Sequence, residues 1–368
     1  MLMTTPTYRF AVIGLGRRGR YHMESLEAME EATVRCVAVA DPRGPTAGEE
    51  ERFGSSFYRD YRQMLAGTPD LDFVLVGSYA VDHVEHALAA LQRGIPVFLE
   101  KAVAFSWEET VKLYQEVVRH QYPLFIGFNL RRFPATLTMK RIIDEGSLGR
   151  IQSVLGHVNT GNRWSQGVWS HYRTPPSSTL VEGKLTHDTD TIQHCLGAEV
   201  VDCTATITRN IWTEGDDRPM TAGDSCSISG LLSNGILYTL HLTTAGPDYE
   251  RRYIVNGTEG QLEVVMHSRR AGQTPAAVTL WRNDEEPQAI ELPPAVGGHG
   301  GADFRIHRDF VAWLQSNPAG PYDPRSILTG MIIPFAAQES MATGRRIDCA
   351  ARLRQVTAGV NQETNREK

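Results

Sequence analysis

The sequence lacks an excess of either charge: 37 Lys and Arg stand against 43 Asp and Glu, a formal charge of -6 with a pI near 6.1. With no basic surplus to neutralise a phosphate backbone, binding to nucleic acid or to an anionic membrane is not expected as the main function. Paired cysteine motifs are missing too. Cys36, Cys195, Cys203, Cys226 and Cys349 are an odd set without a C-x-x-C pair, and four of them lie in or beside apolar runs. That is the usage of a reducing cytosol, so a cytoplasmic protein is expected. Long apolar runs are absent. The least charged stretch, from Ile327 to about Ala337, is broken by Thr329, Gly330 and Pro334 and ends at Gln338, well short of the ~20 apolar residues a spanning helix needs. The start, Met-Leu-Met-Thr-Thr-Pro, has neither a basic n-region nor a small-residue cleavage site, so no secretion signal is read. A soluble chain without internal repeats or low-complexity tracts is expected.

What is present is enough apolar material for two cores: 368 residues, 41% of them hydrophobic, exceed what one compact core accommodates. Over the first 128 residues, short β-rich runs at Tyr8–Ile13, Val34–Ala40, Phe73–Val76, Val97–Leu99 and Leu124–Gly127 alternate with segments of helical period at His22–Glu31, Val81–Gln92 and Trp107–His120. Alternation of this kind predicts βαβ units and a parallel sheet covered on both faces. After Arg150 the runs lengthen and alternate: Ile151–Val158, Val201–Thr208, Ser225–Leu232, Ile236–Thr243, Arg252–Val255, Gln261–Val265 and Val278–Arg282. Turn chemistry at Ser233-Asn234-Gly235 and Asn256-Gly257 predicts hairpins with positive φ. Helices are expected at about Pro134–Glu145, His187–Leu196, Phe304–Gln315 and Pro324–Ala342. The division drawn is an N-terminal doubly wound α/β domain over 1–129, of the Rossmann dinucleotide-binding type, and an α+β substrate-binding and oligomerisation domain over 130–368 with a large, mostly antiparallel open sheet.

The first strand runs straight into Gly14-Leu15-Gly16-Arg17-Arg18-Gly19, with a helical segment behind it. In a dinucleotide fingerprint the first glycine makes the turn, the second admits the pyrophosphate and the third lets helix pack on strand, while the helix N-terminus faces the anion. Gly14, Gly16, Arg17, Arg18 and Gly19 are therefore candidate cofactor contacts. Asp41 ends the second strand, 22 residues beyond Gly19, where an acceptor for the ribose hydroxyls belongs. Its charge repels the 2′-phosphate of NADP and Arg43 offsets that repulsion, so NAD is favoured with NADP possible.

Glu100-Lys101 follows the strand at Pro96–Leu99, at the carboxyl edge where ligands bind in open α/β sheets. Lys101 there can hold a hydroxyl and stabilise charge on its oxygen, or it can be a plain strand-end lysine. In Lys184-Leu185-Thr186-His187-Asp188-Thr189-Asp190, His187 and Asp190 are three apart and share a helix face, with Lys184 one turn earlier. A histidine oriented by a carboxylate takes a hydroxyl proton as hydride leaves the same carbon. The plain alternative makes Asp188 a first-turn helix charge and His187 a satisfied polar residue. A metal site there lacks a third ligand, and no metal is expected. His157 to Tyr172 gathers Asn159, Asn162, Arg163, Trp164, Trp169, His171 and Tyr172. Rings mixed with amides and a guanidinium suit a sugar, although Trp164 or Trp169 could instead plug a seam between the domains. In Gly297–Asp303, Asp303 is first an N-cap candidate and His299 a substrate-pocket candidate.

Together these pieces resemble the Gfo/Idh/MocA family, named for glucose-fructose oxidoreductase, inositol dehydrogenase and rhizopine catabolism. The glycine motif, Ser78 with His83, Glu100-Lys101, Phe128-Asn129-Leu130-Arg131-Arg132-Phe133-Pro134, Gly146-Ser147-Leu148-Gly149 and Lys184-x-x-His187-x-x-Asp190 occur in the family's order. The resemblance implies that Lys101 and His187 are the catalytic pair, that Glu100 and Asn129 lie beside the nicotinamide, that Ser78 and His83 belong to the cofactor side, and that the helix of His187 and Asp190 lines a sugar site. Two departures stand out. The family's Glu-Lys-Pro carries a cis peptide and here Ala102 replaces Pro; a cis bond before alanine costs about 2.5–4 kcal/mol, which leaves the local backbone open to a different form. The inositol branch has an aspartate four residues before the histidine, where this chain has Gly183.

The function implied is transfer of hydride between a nicotinamide and a secondary alcohol or ketone of a sugar, glycoside, amino sugar or cyclitol, by a homodimer or homotetramer. A glycoside hydrolase that oxidises its sugar transiently, and a non-catalytic cofactor-binding regulator, are the alternatives on the same fold.

Overall fold

The computed structural model describes residues 6–161, 181–211, 223–246, 249–267, 276–295, 299–316 and 318–366. The chain forms two units, one of Met1–Asn129, Asp303–Ile327 and Val360–Lys368, the other of Leu130–Ala302 and Leu328–Gly359. The first unit is thus discontinuous and takes in a segment that the linear division at Asn129 assigns to the second domain.

In the first unit six parallel strands, β1 (Thr7–Ile13), β2 (Thr33–Ala40), β3 (Phe57–Tyr58), β4 (Phe73–Val76), β5 (Val97–Leu99) and β6 (Leu124–Ile126), lie in the order β3-β2-β1-β4-β5-β6. Every residue of β4, β5 and β6 is buried, as a parallel sheet with helices on both faces requires. Five helices connect the strands: α1 (Arg17–Glu27), α2 (Ala47–Phe53), α3 (Tyr61–Gly67), α4 (His83–Leu91) and α5 (Trp107–His120). Helix α1 starts five residues before the expected His22, because Gly16 is already its N-cap. Helices α2 and α3 run for seven residues each, too short for a 3.6 period to stand out. Their caps were the legible signal: Thr46 and Glu49 form a capping box, and Asp60 accepts from the Arg62 N–H.

The return segment completes this core. It carries most of α8 (Ala302–Gln315), whose Ile306, Phe310, Val311 and Leu314 join Phe10, Phe73, Phe98 and Phe125 of the sheet in one buried cluster. The Phe310 ring stands edge-on to Phe73, Phe98 and Phe125 at 4.9, 5.2 and 5.4 Å, the geometry aromatic quadrupoles favour. Asp303 lies inside the first turn of α8 and is fully buried; it is therefore not the N-cap that the glycine-rich approach suggested.

The second unit holds a nine-stranded sheet made of β7 (Ile151–Thr160), β8 (Asp202–Thr208), β9 (Ser225–Leu231), β10 (Leu237–Thr243), β11 (Tyr249–Gly257), β12 (Gly260–His267), β13 (Ala277–Arg282), β14 (Gln288–Ile290) and β15 (Ile347–Asp348). Its order is β14-β13-β12-β11-β7-β10-β9-β8-β15, antiparallel except for the β7/β10 pair. Alternating burial along β9 and β10 marks one covered face and one open face. Tyr238, Leu240, Leu242, Tyr253, Val255, Leu262 and Val264 are buried, whereas Leu155, Leu237 and Trp281 are exposed. Helices α6 (Pro134–Asp144) and α7 (Thr186–Leu196), with most of α9 (Arg325–Thr343) and of α10 (Cys349–Arg366), complete the unit. Gly235 has φ 81° as the β9–β10 turn predicts, but Gly257 is not in the positive-φ region. An added Cβ at Gly257 would lie 2.1 Å from the Leu148 carbonyl oxygen; close backbone approach, not turn geometry, is what requires that glycine.

Candidate active site

Each glycine of the first loop answers a different demand. Gly14 has φ 88°, and a Cβ there would meet Ser78 Cα at 2.4 Å; a Cβ on Gly19 would meet the Gly14 carbonyl oxygen at 2.0 Å. Around Gly16 an added Cβ would meet nothing within 4 Å. Gly16 is the N-cap of the 11-residue α1 with no side-chain cap, so open space lies before helix N–H groups. That is the cradle a pyrophosphate fills. The first turn contains no acidic residue, and Arg17 is exposed there.

Asp41 follows β2 directly and is 5% exposed. Its Oδ2 accepts from the Leu15 N–H at 2.9 Å and from Arg43 Nη2 at 2.7 Å, and its Oδ1 from the Arg43 N–H at 3.0 Å and Nε at 2.8 Å. Burial opposes the carboxylate, yet these donors hold it below its usual range. The Arg43 side chain is 67% exposed, so the fork that grips Asp41 is at the surface and free to yield to ribose hydroxyls. The residues present fit a dinucleotide.

At the ends of β4 and β5 the remaining first-unit candidates gather. Ser78 Oγ lies 2.8 Å from His86 Nδ1. His83 is fully buried, with Nδ1 2.7 Å from the Ala102 carbonyl and Nε2 3.1 Å from that of Ser78. It thereby ties the loop after β4 to the loop after β5. The Lys101–Ala102 peptide is cis, so the substitution of alanine for proline leaves this local form in place. Lys101 is half-buried. Glu100, 5% exposed, accepts from Arg18 Nε at 2.7 Å and from the Lys101 N–H at 2.7 Å. Burial opposes its charge, but Arg18 and His22 beside it keep the carboxyl well below the usual range. Arg18 also donates to Asp303 at 3.1 and 3.3 Å, and Asn129 Nδ2 donates to the same carboxylate at 2.6 Å. Sequence reasoning put Arg18 and Asn129 with the cofactor; in the structure Arg18 donates to Glu100 and Asp303, and Asn129 donates to Asp303.

In the second unit Lys184 lies in a π-helical turn, Val181–Leu185, that leads into α7. Helix α7 is buried at nearly every position, and among its residues only His187 and His194 are half-exposed. They are seven apart, on one stripe of the helix, and the half-buried Lys184 precedes His187 by three. Asp190 is 2% exposed and accepts both forks of Arg131, with Nε at 2.8 Å. Asp188 is the acidic residue in the first turn of α7, as the plain reading of the sequence has it. It is fully buried and binds Arg251 Nε at 2.8 Å and Nη2 at 3.1 Å, and it accepts the Tyr253 hydroxyl. Nothing in the spacing marked Arg251 as its partner, since 63 residues separate them. His299 is exposed in a 3₁₀ turn, with its ring 6.3 Å from that of Phe133. Arg163, Trp164, Trp169 and Tyr172, with Asn162 and His171, lie outside the described residues. Among the described residues no group of three or more His, Cys, Asp or Glu could hold a metal, and no helix is long and apolar enough to cross a membrane.

A parallel sheet of order 3-2-1-4-5-6, with an open glycine cradle on α1 and an acid after β2, defines a dinucleotide-binding oxidoreductase fold. The chain belongs to the GFO/IDH/MocA family: its residues 8–128 match the oxidoreductase family with NAD-binding Rossmann fold, and residues 136–263 match the GFO/IDH/MocA C-terminal domain. It is 30% identical to inositol 2-dehydrogenase 2 of Saccharopolyspora erythraea over 264 residues, 70% of this chain and 73% of that one. It is 26% identical to the inositol 2-dehydrogenase of Rhizobium meliloti over 69% of this chain and 74% of the relative. A levoglucosan dehydrogenase solved with NADH and levoglucosan superposes with a TM-score of 0.79 at 22% identity, over 93% of this chain and 99% of that one. At that identity the likeness is one of fold.

Proposed function

We propose that the protein is an NAD-dependent dehydrogenase of a ring secondary alcohol, a sugar or cyclitol. The observation that carries this reading is the combination of the open Gly16 cradle and Asp41 with a half-buried lysine straight after β5, in a chain related to inositol 2-dehydrogenases. Gly16 and the N-terminus of α1 hold the pyrophosphate in a loop that Gly14 and Gly19 shape, Asp41 holds the ribose, and Ser78, Glu100 and Asn129 hold the nicotinamide side. When bound, the dinucleotide supplies the acceptor for a hydride from the alcohol carbon. His187, on the accessible stripe of α7, takes the hydroxyl proton as that hydride leaves, and Lys101 stabilises charge on the same oxygen. Lys184, Asp190 and His299 line the substrate side. NAD is preferred because Asp41 repels a 2′-phosphate.

The test is a panel of myo-inositol, scyllo-inositol and levoglucosan with NAD or NADP, read as reduced nicotinamide formed per substrate consumed. On the substrate accepted, His187→Ala is expected to lower single-turnover hydride transfer by about 10²–10⁴ while dinucleotide binding and the melting temperature hold. Lys101→Ala should also slow transfer, with dinucleotide binding held. Transfer within a few-fold of the parent in folded His187→Ala removes His187 as the base.

A further inference from the structure

Two buried histidines of the first unit have no part in that proposal. His22 of α1 is 1% exposed and His307 of α8 is 0% exposed. Their rings meet directly, His22 Nδ1 lying 2.7 Å from His307 Nε2. The far end of the pair is closed by Ser25 Oγ, 3.1 Å from His307 Nδ1. The near end is His22 Nε2, 2.8 Å from Glu100 Oε1, and Glu100 Oε2 in turn accepts the Lys101 N–H at 2.7 Å. A continuous chain of polar contacts therefore runs from Ser25 through His307, His22 and Glu100 to the backbone of Lys101.

Proton counting gives the chain a direction. A neutral imidazole has one donor and one acceptor nitrogen, and burial, the largest influence on both rings, pushes their pKa down. Glu100 only accepts, so His22 Nε2–H donates to it, His307 Nε2–H donates to His22 Nδ1, and the Ser25 hydroxyl donates to His307 Nδ1. Arg18 Nη2, 2.8 Å from His22 Nε2, carries two protons and directs one of them to Asp303 at 3.1 Å. Each ring then carries a single proton and both its nitrogens are matched.

Such a pair is a poor device for stability alone. Two apolar rings of the same volume would pack on Phe98, which lies 5.3 Å from His22 and 5.7 Å from His307, without the desolvation cost of four ring nitrogens. What the imidazoles add is a directed donor, and it ends on the carboxylate that holds Lys101. We propose that His22 and His307 are positioning residues for hydride transfer: through Glu100 they fix the Lys101 backbone and so the point from which the lysine side chain reaches the substrate oxygen. The inference rests on the reading of Lys101 given above.

The experiment uses the full chain with His22→Ala, His22→Gln and His307→Leu. It reads hydrogen–deuterium exchange at the Lys101 amide against the amides of β1, NAD affinity by calorimetry, and turnover of myo-inositol. His22→Ala is expected to speed exchange at Lys101 at least tenfold with β1 unchanged and to lower kcat about ten- to hundredfold, while KM for NAD stays within threefold. His22→Gln, whose side-chain N–H reaches the same carboxylate oxygen, should return both values to within about threefold of the parent. If His22→Ala does not fold, His307→Leu gives the same reading through loss of the ring that orients His22. Lys101 exchange within twofold of the parent in a folded variant overturns the proposal. If exchange rises as stated but Lys101→Ala leaves turnover intact, the positioning stands and the assigned role of Lys101 falls instead.

Discussion

At the scale of single residues the site is built from contrasts between neighbours of one type. Gly16 faces open space, whereas a Cβ on Gly19 would lie 2.0 Å from the Gly14 carbonyl oxygen, so identical residues in one motif serve ligand and fold respectively. Gly16→Val is expected to keep the parent melting temperature and lose dinucleotide binding by calorimetry, while Gly19→Ala should melt earlier because helix and strand must separate. Retained affinity in Gly16→Val removes the cradle. Asp41 shows the same economy. Its four contacts with Leu15 and Arg43 hold the carboxylate ionised and aimed before any ribose arrives. Asp41→Ser should raise KM for NAD and narrow the gap to NADP, since the charge opposing a 2′-phosphate is gone. Equal loss with both cofactors would sink that assignment.

At the scale of elements, helix α7 decides how His187 is presented. Asp188 joins Arg251 and Tyr253 on β11, and Thr189 Oγ1 donates to the Gly330 carbonyl of α9 at 3.1 Å. Those anchors fix the rotation of the helix and leave the stripe of His187 and His194 half-exposed. Asp188→Asn keeps the shape but strands the buried Arg251 charge, and should cost about 3–5 kcal/mol in denaturant unfolding. Asp190→Asn should cost less, because its partner Arg131 keeps 16% of its side chain in solvent. A loss below about 1 kcal/mol for Asp188→Asn would show that the ion pair does not anchor the helix. The spacing of Lys184, His187 and Asp190 reads as one helical face, whereas the structure puts Lys184 in the π-helical turn before α7 and buries Asp190 on Arg131. The division of labour between Asp188 and Asp190 was not legible, because it depends on which strand and which turn each carboxylate meets.

For the whole molecule, acid is the informative variable. His22, His83 and His307 are buried with pKa values pushed down chiefly by burial, and all three belong to the first unit. Their folded-state pKa lies below the unfolded value near 6.5. As pH falls past about 6.5 the unfolded chain therefore binds protons that the folded chain refuses, and stability drops, by up to about 1.4 kcal/mol per pH unit for each ring. Glu100 has the depressed pKa of a paired carboxylate, and its contribution is lost only lower, as pH falls below about 4.5 toward the folded value. Calorimetry between pH 7 and 5 should thus show the transition of the first unit falling faster than that of the second. Parallel shifts of both transitions would show that the three rings are not held neutral.

The sequence by itself determined what is local and periodic: β1 running into the glycine loop, Asp41 after β2, Glu100-Lys101 after β5, and the alternation of β9 and β10. In these places hydrophobic period, turn chemistry and spacing along the chain carry the information, so each could be read without knowing its neighbours. The tertiary structure alone decided what depends on residues far apart. It placed the return of Asp303–Ile327 in the first unit and set Phe310 among three strand phenylalanines. It also gave Arg18 to Glu100 and Asp303, and joined His22 to His307 across 285 residues. A buried polar side chain must find its partner wherever the fold has brought one, and neither composition nor period records which one that is.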